Sequence, residues 1–270
     1  MKRIPLMALT ALTALFTTAA HAQSPDTHFT LPLTPDSAAT LEAFLPDGGT
    51  QGAKAVVCCP GGGYARLSYE NEGTAWAPFF NEQGIALFVL KYRMPAGDRS
   101  IPTGDAGQAI RTVREHAALW GVDPAKVGIM GFSAGGHLAS TTATHAPQDA
   151  LPDFQILFYP VISMVEADTH KGSVVNFLGD ARSDSVLVSD YTNWRQVNAA
   201  TPPAIILLSS DDSAVPALTN GIPYYEALVR AGVPATLAAY PTGGHGWGYK
   251  ASFPYHEPMK ALLTQWLSNL

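Results

Sequence analysis

The sequence predicts an α/β protein with a mostly parallel central sheet and helices on both faces, a three-layer sandwich. Three observations carry that expectation. Short β-rich apolar runs alternate with segments of helical period; several of the runs are apolar throughout, as strands buried on both faces are; and the clearest helical segment ends at a glycine followed by Asp-Pro. Hydrophobic residues make up 47% of the 270 residues and charged ones 14%, a balance that fills a sizeable core and argues against disorder.

The N-terminus differs from the rest. Lys2 and Arg3 precede an apolar, Thr-rich run that ends in Ala20-His21-Ala22, the order of a cleavable signal peptide. Pro5 and several threonines interrupt the run, which falls short of the ~20 apolar residues of a membrane span. No cysteine follows it, against a lipid anchor. Export is therefore expected, with cleavage after Ala22, a periplasmic or extracellular location, and a single domain over residues 23–270. Losing Lys2 and Arg3 moves the formal charge from -6 to -8, which disfavours nucleic acid and anionic membranes as partners.

Along the mature chain, strands are expected at residues 41–45, 54–58, 85–92, 127–131, 155–159, 204–209 and 235–240. Between the third and fourth of these, Ala106, Ala109, Ile110, Val113, Ala117 and Trp120 form one stripe at steps of three and four, a helix that Gly121 ends. Asp123-Pro124 is expected to turn the chain into the next strand. Further helices are expected at 73–83, 134–145, 222–231 and 255–267. The stretch 161–203 is too long and polar for a simple crossover and reads as an excursion forming part of a substrate-binding wall. The two cysteines, Cys58 and Cys59, are adjacent in a strand and so point to opposite faces, as buried, inert thiols.

The chemistry gathers around Gly131-Phe132-Ser133-Ala134-Gly135. A Gly-x-Ser-x-Gly pentapeptide alone is a weak signal, but here it follows the apolar strand Val127-Gly128-Ile129-Met130 and precedes a helix. In that setting the serine sits on a strained elbow. A serine hydroxyl is a poor nucleophile at neutral pH and needs a histidine base held by a carboxylate. His245 lies in the glycine-rich segment Gly243-Gly244-His245-Gly246 after the last strand, and His256 is the second choice. His137 and His145 lie on the elbow helix, as packing and surface residues, and His170 lies in the excursion, where it can at most touch substrate. Asp211 and Asp212 follow the strand at 204–209, where carboxylates of open α/β sheets face the crevice. Pro60-Gly61-Gly62-Gly63-Tyr64 follows another strand. The N–H groups of Gly62, Gly63 and Ala134 are the expected oxyanion donors; the run lacks the Gly-Lys-Ser/Thr of a phosphate cradle. No His-Glu-x-x-His or clustered Cys/His spacing suggests a metal, and no cofactor is expected.

Together with Leu90-Lys91-Tyr92-Arg93 and Asp212-Ser213-Ala214-Val215-Pro216, these motifs make the chain, from about Leu41 onward, resemble the α/β-hydrolase esterases that include bacterial acetyl xylan esterases. The resemblance implies the α/β-hydrolase fold and a triad of Ser133, Asp212 and His245, the aspartate being the one that precedes x-x-Val-Pro. The chain departs from the related lipase pattern His-Gly-Gly-Gly, with Pro60 in place of that histidine; the oxyanion donors are expected to survive because they are backbone groups, and what anchors the loop is left open. The implied substrate is a small acyl ester, acetyl foremost, on a polysaccharide such as xylan. Tyr64, Trp194 and Trp247 are expected to stack on sugar rings. A general short-chain carboxylesterase, a peptidase of the same fold and a non-catalytic binding protein are the alternatives. A peptidase would be expected to need a further selecting domain.

Overall fold

The structure is a computed structural model that describes residues 26–48 and 51–270. The expected signal peptide at 1–22 lies outside the described residues. Eight strands among them form one sheet: β1 (His28–Pro32), β2 (Thr40–Phe44), β3 (Ala53–Cys59), β4 (Ala86–Lys91), β5 (Val122–Phe132), β6 (Gln155–Phe158), β7 (Ala204–Ser209) and β8 (Ala235–Tyr240). Their spatial order is β1-β2-β4-β3-β5-β6-β7-β8, with β2 antiparallel to both its neighbours and every other pair parallel.

Alternation along the strands divides the core in two. Ala55, Val57 and Cys59 of β3 face one layer while Val56 and Cys58 face the other, so the vicinal thiols are separated by the sheet itself. The first layer is packed by α2 (Ser100–Glu115), α3 (Ala117–Trp120), α4 (Ala134–His145), α5 (Lys171–Leu178) and α7 (Gly221–Arg230). The second is packed by α1 (Ala77–Asn81) and α8 (His256–Ser268), through Phe79, Phe80, Met259, Leu263 and Leu267. The helical stripe from Ala106 to Val113 is fully buried, as its period requires. Gly121 closes α3 in the left-handed conformation, φ 68°.

Several local expectations are corrected. Asp123-Pro124 does not separate turn from strand: β5 starts at Val122 and carries residues 123–126 as a bulge, since Ala53 pairs with Val122 but Ala55 already pairs with Val127. The Asp123 carboxylate accepts from the Ala125 N–H at 2.9 Å, so the Asp-Pro turn chemistry operates inside the strand. The helix expected at 73–83 is a short 3-10 turn, Thr74–Trp76, followed by α1. The excursion holds α5, α6 (Ser185–Asp190) and two 3-10 turns, and it is sewn to α4. Asn193 donates to the His137 carbonyl, Ser140 Oγ and Thr141 Oγ1 at 3.2, 2.7 and 2.9 Å.

Because β3 to β8 form a parallel set, the loops after Cys59, Phe132, Phe158, Ser209 and Tyr240 emerge at one edge of the sheet. That edge carries the site.

Candidate active site

Ser133 occupies the turn between β5 and α4 at φ 51°, ψ −119°, a conformation that costs a non-glycine residue strain and lifts its side chain off the sheet. The turn is possible because of close backbone approach. A Cβ on Gly135 would sit 2.0 Å from the Cys59 carbonyl oxygen, and one on Gly131 would sit 2.1 Å from that of Gly135. The backbone is held from both sides: Ser133 N–H donates to the Phe158 carbonyl at 3.1 Å, and the Ser133 carbonyl accepts from Val161 N–H at 2.9 Å.

His245 reaches the serine from the loop after β8. Its Nε2 lies 2.8 Å from Ser133 Oγ and its Nδ1 lies 2.6 Å from Asp212 Oδ2. Asp212 is 5% exposed, and its other oxygen accepts from the N–H groups of Ala214 and Val215, both at 2.9 Å. A carboxylate so held is acceptor-only, which requires the proton on His245 Nδ1 and leaves Nε2 free to accept the serine proton. Asp211 does not contact His245. Its carboxylate accepts instead from the N–H groups of Gly244 and Gly243, at 2.8 and 3.3 Å, and so braces the histidine loop. His256, the second choice for the base, starts α8 against Tyr249.

Beside the serine, Gly62 and Gly63 line the cleft, and Ala134 is the first residue of α4. Among the described residues, the N–H groups of these three have no protein acceptor, whereas Gly61 N–H is already committed, at 3.0 Å, to Glu72 Oε2. Glu72, which no spacing in the sequence singles out, therefore anchors the glycine run where Pro60 provides no side-chain donor. It is 4% exposed, and its Oε1 accepts from Tyr159 O–H at 2.7 Å. Burial pushes its pKa up, while the bonds from Tyr159 and Gly61 and the nearby His245 and Lys250 pull it down. Tyr159 was discernible in principle, as a tyrosine at the C-terminal end of an apolar strand.

The cleft above Ser133 has a volume of about 610 Å³ and is open to solvent. Its walls are Gly62, Gly63, Ala65, Arg66, Ser68, Asn71, Glu72, His170, Asn176, Ala214, His245, Gly246 and Lys250. The excursion thus contributes two side chains, His170 and Asn176. His170 also caps α5, its Nδ1 accepting from Ser173 N–H at 3.2 Å, and burial followed by the neighbouring His245 lowers its pKa.

None of the three aromatics expected to stack on sugar lines this cleft. Tyr64 is buried, stacked on Phe177 at 4.8 Å and bonded to His137 at 2.9 Å. Trp247 is buried face to face with Phe253 at 4.1 Å, its Nε1–H donating to Ser209 Oγ. Trp194 packs against the core beneath the Arg195 guanidinium. Tyr64 and Trp247 stand on the loops that carry Gly63 and His245, and their burial gives those loops rigid packing, while Trp194 is spent on the core.

Cys58 and Cys59 are fully buried, and desolvation raises both thiol pKa values, with Cys59 and Glu72 adding to it at Cys58, whose Sγ–H meets the Glu72 carbonyl at 3.2 Å. Among the described residues, no group of three or more His, Cys, Asp or Glu is placed to hold a metal, and no helix is long and apolar enough to cross a membrane.

A mostly parallel eight-stranded sheet, with a serine elbow after the fifth strand and its acid and histidine partners after the last two, is the α/β-hydrolase fold. Residues 41–220, more than half of the chain, match the BD-FAE family model, and the chain belongs to that family. It is 46% identical over 244 residues to an acetylxylan esterase of Xylanibacter ruminicola, covering 90% of this chain and 50% of that protein. Identity to endo-1,4-beta-xylanase B of Butyrivibrio fibrisolvens is 34% over 206 residues, or 71% of this chain and 32% of the other. The chain thus spans half or less of the length of these two relatives. Among solved structures, an acetyl ester-xyloside bifunctional hydrolase from Caldicellulosiruptor lactoaceticus superposes with a TM-score of 0.82 at 32% identity, covering 89% of this chain and 96% of that one.

Proposed function

We propose that the chain is an exported serine esterase that removes small acyl groups, acetyl foremost, from acylated xylan or its oligosaccharides. The observation that carries this reading is the composition of the cleft. Around Ser133 the walls are glycine and polar or charged side chains, with Ala65 and Ala214 the apolar members, so the cleft offers hydrogen-bonding groups to a hydroxyl-rich alcohol. The names of the acetylxylan esterase and acetyl ester-xyloside hydrolase relatives support the same substrate class.

In this reading Ser133 Oγ attacks the ester carbonyl as its proton passes to His245 Nε2. Asp212 holds the reactive tautomer and stabilises the imidazolium that forms. The carbonyl oxygen, now negative, enters the space faced by the N–H groups of Gly62, Gly63 and Ala134, an interaction worth about 3 kcal/mol per donor. Collapse expels the sugar alkoxide, which takes the proton from His245, and leaves acyl-Ser133. Water, deprotonated by the same imidazole, then releases the acid.

Export rests on the N-terminal segment and is tested by sequencing the mature protein, expected to begin at Gln23. The substrate is tested by following acetate release from acetylated xylan together with the turnover of aryl esters of increasing chain length. Acetate release and a fall in kcat/KM beyond short acyl chains are expected. Preference for long chains with no acetate from xylan would overturn the assignment.

A further inference from the structure

We infer that Glu72 is a positioning residue of the catalytic apparatus, one buried carboxylate that holds the oxyanion loop and the histidine loop in register; this rests on the esterase reading above. Oε2 accepts from Gly61 N–H at 3.0 Å, immediately before the two glycines whose free N–H groups face the cleft. Oε1 accepts from Tyr159 O–H at 2.7 Å, and the same phenolic oxygen accepts from Gly248 N–H at 2.9 Å, three residues after His245. The Tyr159 ring lies edge-on to the His245 imidazole with centroids 4.8 Å apart. The chain Gly61–Glu72–Tyr159–Gly248 therefore ties the loop after β3 to the loop after β8, across the serine.

The neighbouring residue repeats the connection. Asn71 Nδ2–H donates to the Gly246 carbonyl at 3.3 Å, and its carbonyl accepts from Tyr249 N–H at 3.0 Å. A Cβ on Gly248 would lie 2.3 Å from Asn71 Nδ2, so the two loops meet with no room between them. Tyr159 itself is held at φ 34°, a strained backbone for a tyrosine, as expected where function requires a side chain at a fixed point. A buried acid serving stability alone would be replaceable by well-packed apolar groups. Here one oxygen holds the loop of the expected oxyanion donors and the other, through Tyr159, holds the loop that carries His245, and both accept. A glutamine supplies one acceptor oxygen, so its amide either opposes Gly61 N–H or forces the Tyr159 hydroxyl to turn away.

The test compares Glu72→Gln, Glu72→Ala and Tyr159→Phe with the wild type and Ser133→Ala on a soluble acetyl ester, and measures the affinity of each for a trifluoromethyl ketone that adds to Ser133. Wild-type turnover that Ser133→Ala does not abolish defeats the esterase reading itself and is distinguishable from failure of the inference. Given Ser133-dependent turnover, kcat is expected to fall about tenfold or more in Glu72→Gln and Tyr159→Phe and about 100-fold in Glu72→Ala, with KM within about threefold. Ketone affinity falls in parallel, because the analogue reports the tetrahedral state that both loops stabilise. Combining Glu72→Gln with Tyr159→Phe adds little to the larger single loss. Should the Glu72 variants fail to fold, Tyr159→Phe, which removes one hydroxyl, decides by the same readings. A folded variant with kcat within about twofold of wild type, or a loss confined to Tm or KM, overturns the inference.

Discussion

His137 on α4 gives the protein an expected acid sensitivity whose size follows from its wiring. The side chain is fully buried. Its Nε2 lies 2.8 Å from the Tyr191 carbonyl, which can only accept, and its Nδ1 lies 2.9 Å from Tyr64 O–H. The ring therefore donates from Nε2 and accepts at Nδ1, which is the neutral tautomer. Protonating Nδ1 would turn the Tyr64 hydroxyl hydrogen away from its partner and leave a charge in a site without solvent. Burial accordingly lowers the pKa from 6.5 to about 4. Since the folded value lies below the unfolded one, the stabilisation is fully present above pH 6.5 and is lost as pH falls toward 4. Linkage puts the loss at about 2 kcal/mol by pH 5 and about 3 kcal/mol below pH 4. The perturbation is His137→Gln, whose amide keeps one donor for Tyr191 and one acceptor for Tyr64. Urea unfolding of both proteins at pH 7 and pH 5 is the assay. His170 shifts in the same direction in both proteins and cancels in the comparison. Wild type should lose about 2 kcal/mol more than the variant between the two pH values. Equal losses, or an NMR titration of His137 near pH 6.5, would show that His137 is not the source of the acid sensitivity.

Three further outcomes are expected. Asp212→Asn keeps the shape of the site but replaces the acceptor that fixes the His245 tautomer, so kcat should fall about 10³- to 10⁴-fold with Tm and KM near wild type, read from steady-state kinetics. Asp211→Ala frees two N–H groups of the histidine loop and leaves the triad intact, so kcat should fall by about tenfold at most. Gly135→Ala places a Cβ 2.0 Å from the Cys59 carbonyl and 2.5 Å from that of Pro60, where no side chain can yield. It should cost more than about 4 kcal/mol, seen as loss of soluble protein or a collapse of Tm.

What the sequence discloses follows the strength of local signals. The strands Ala204–Ser209 and Ala235–Tyr240 lie where their apolar runs put them, and the stripe from Ala106 to Val113 is buried as its period implies. β1 has no such signal. His28–Pro32 is an edge strand with alternating exposed and half-buried residues, and its order comes from pairing with β2 rather than from its own composition. At the site, the residues with a motif were visible: the elbow, the glycine run, the aspartate pair and the glycine-flanked histidine. Between Asp211 and Asp212, which stand in one turn, the Asp-x-x-Val-Pro spacing favours Asp212, and its carboxylate is the one that lies 2.6 Å from His245 Nδ1. Glu72 was invisible for a stronger reason. Its partners Gly61, Tyr159 and, through the tyrosine, Gly248 lie on three loops that only the folded sheet brings together. The aromatics misled because tyrosine and tryptophan near a site serve as platform as readily as contact surface, and burial decides which.

The proposed catalysis turns on Ser133 being the nucleophile that His245 activates. The most direct measurement is the rate and position of covalent labelling by a fluorophosphonate, read by peptide mass, in wild type, Ser133→Ala and His245→Ala. A single phosphonyl group on the peptide carrying Ser133 is expected in wild type, with none in Ser133→Ala and labelling slowed at least about 100-fold in His245→Ala. An adduct on another residue, or undiminished labelling without His245, would contradict it.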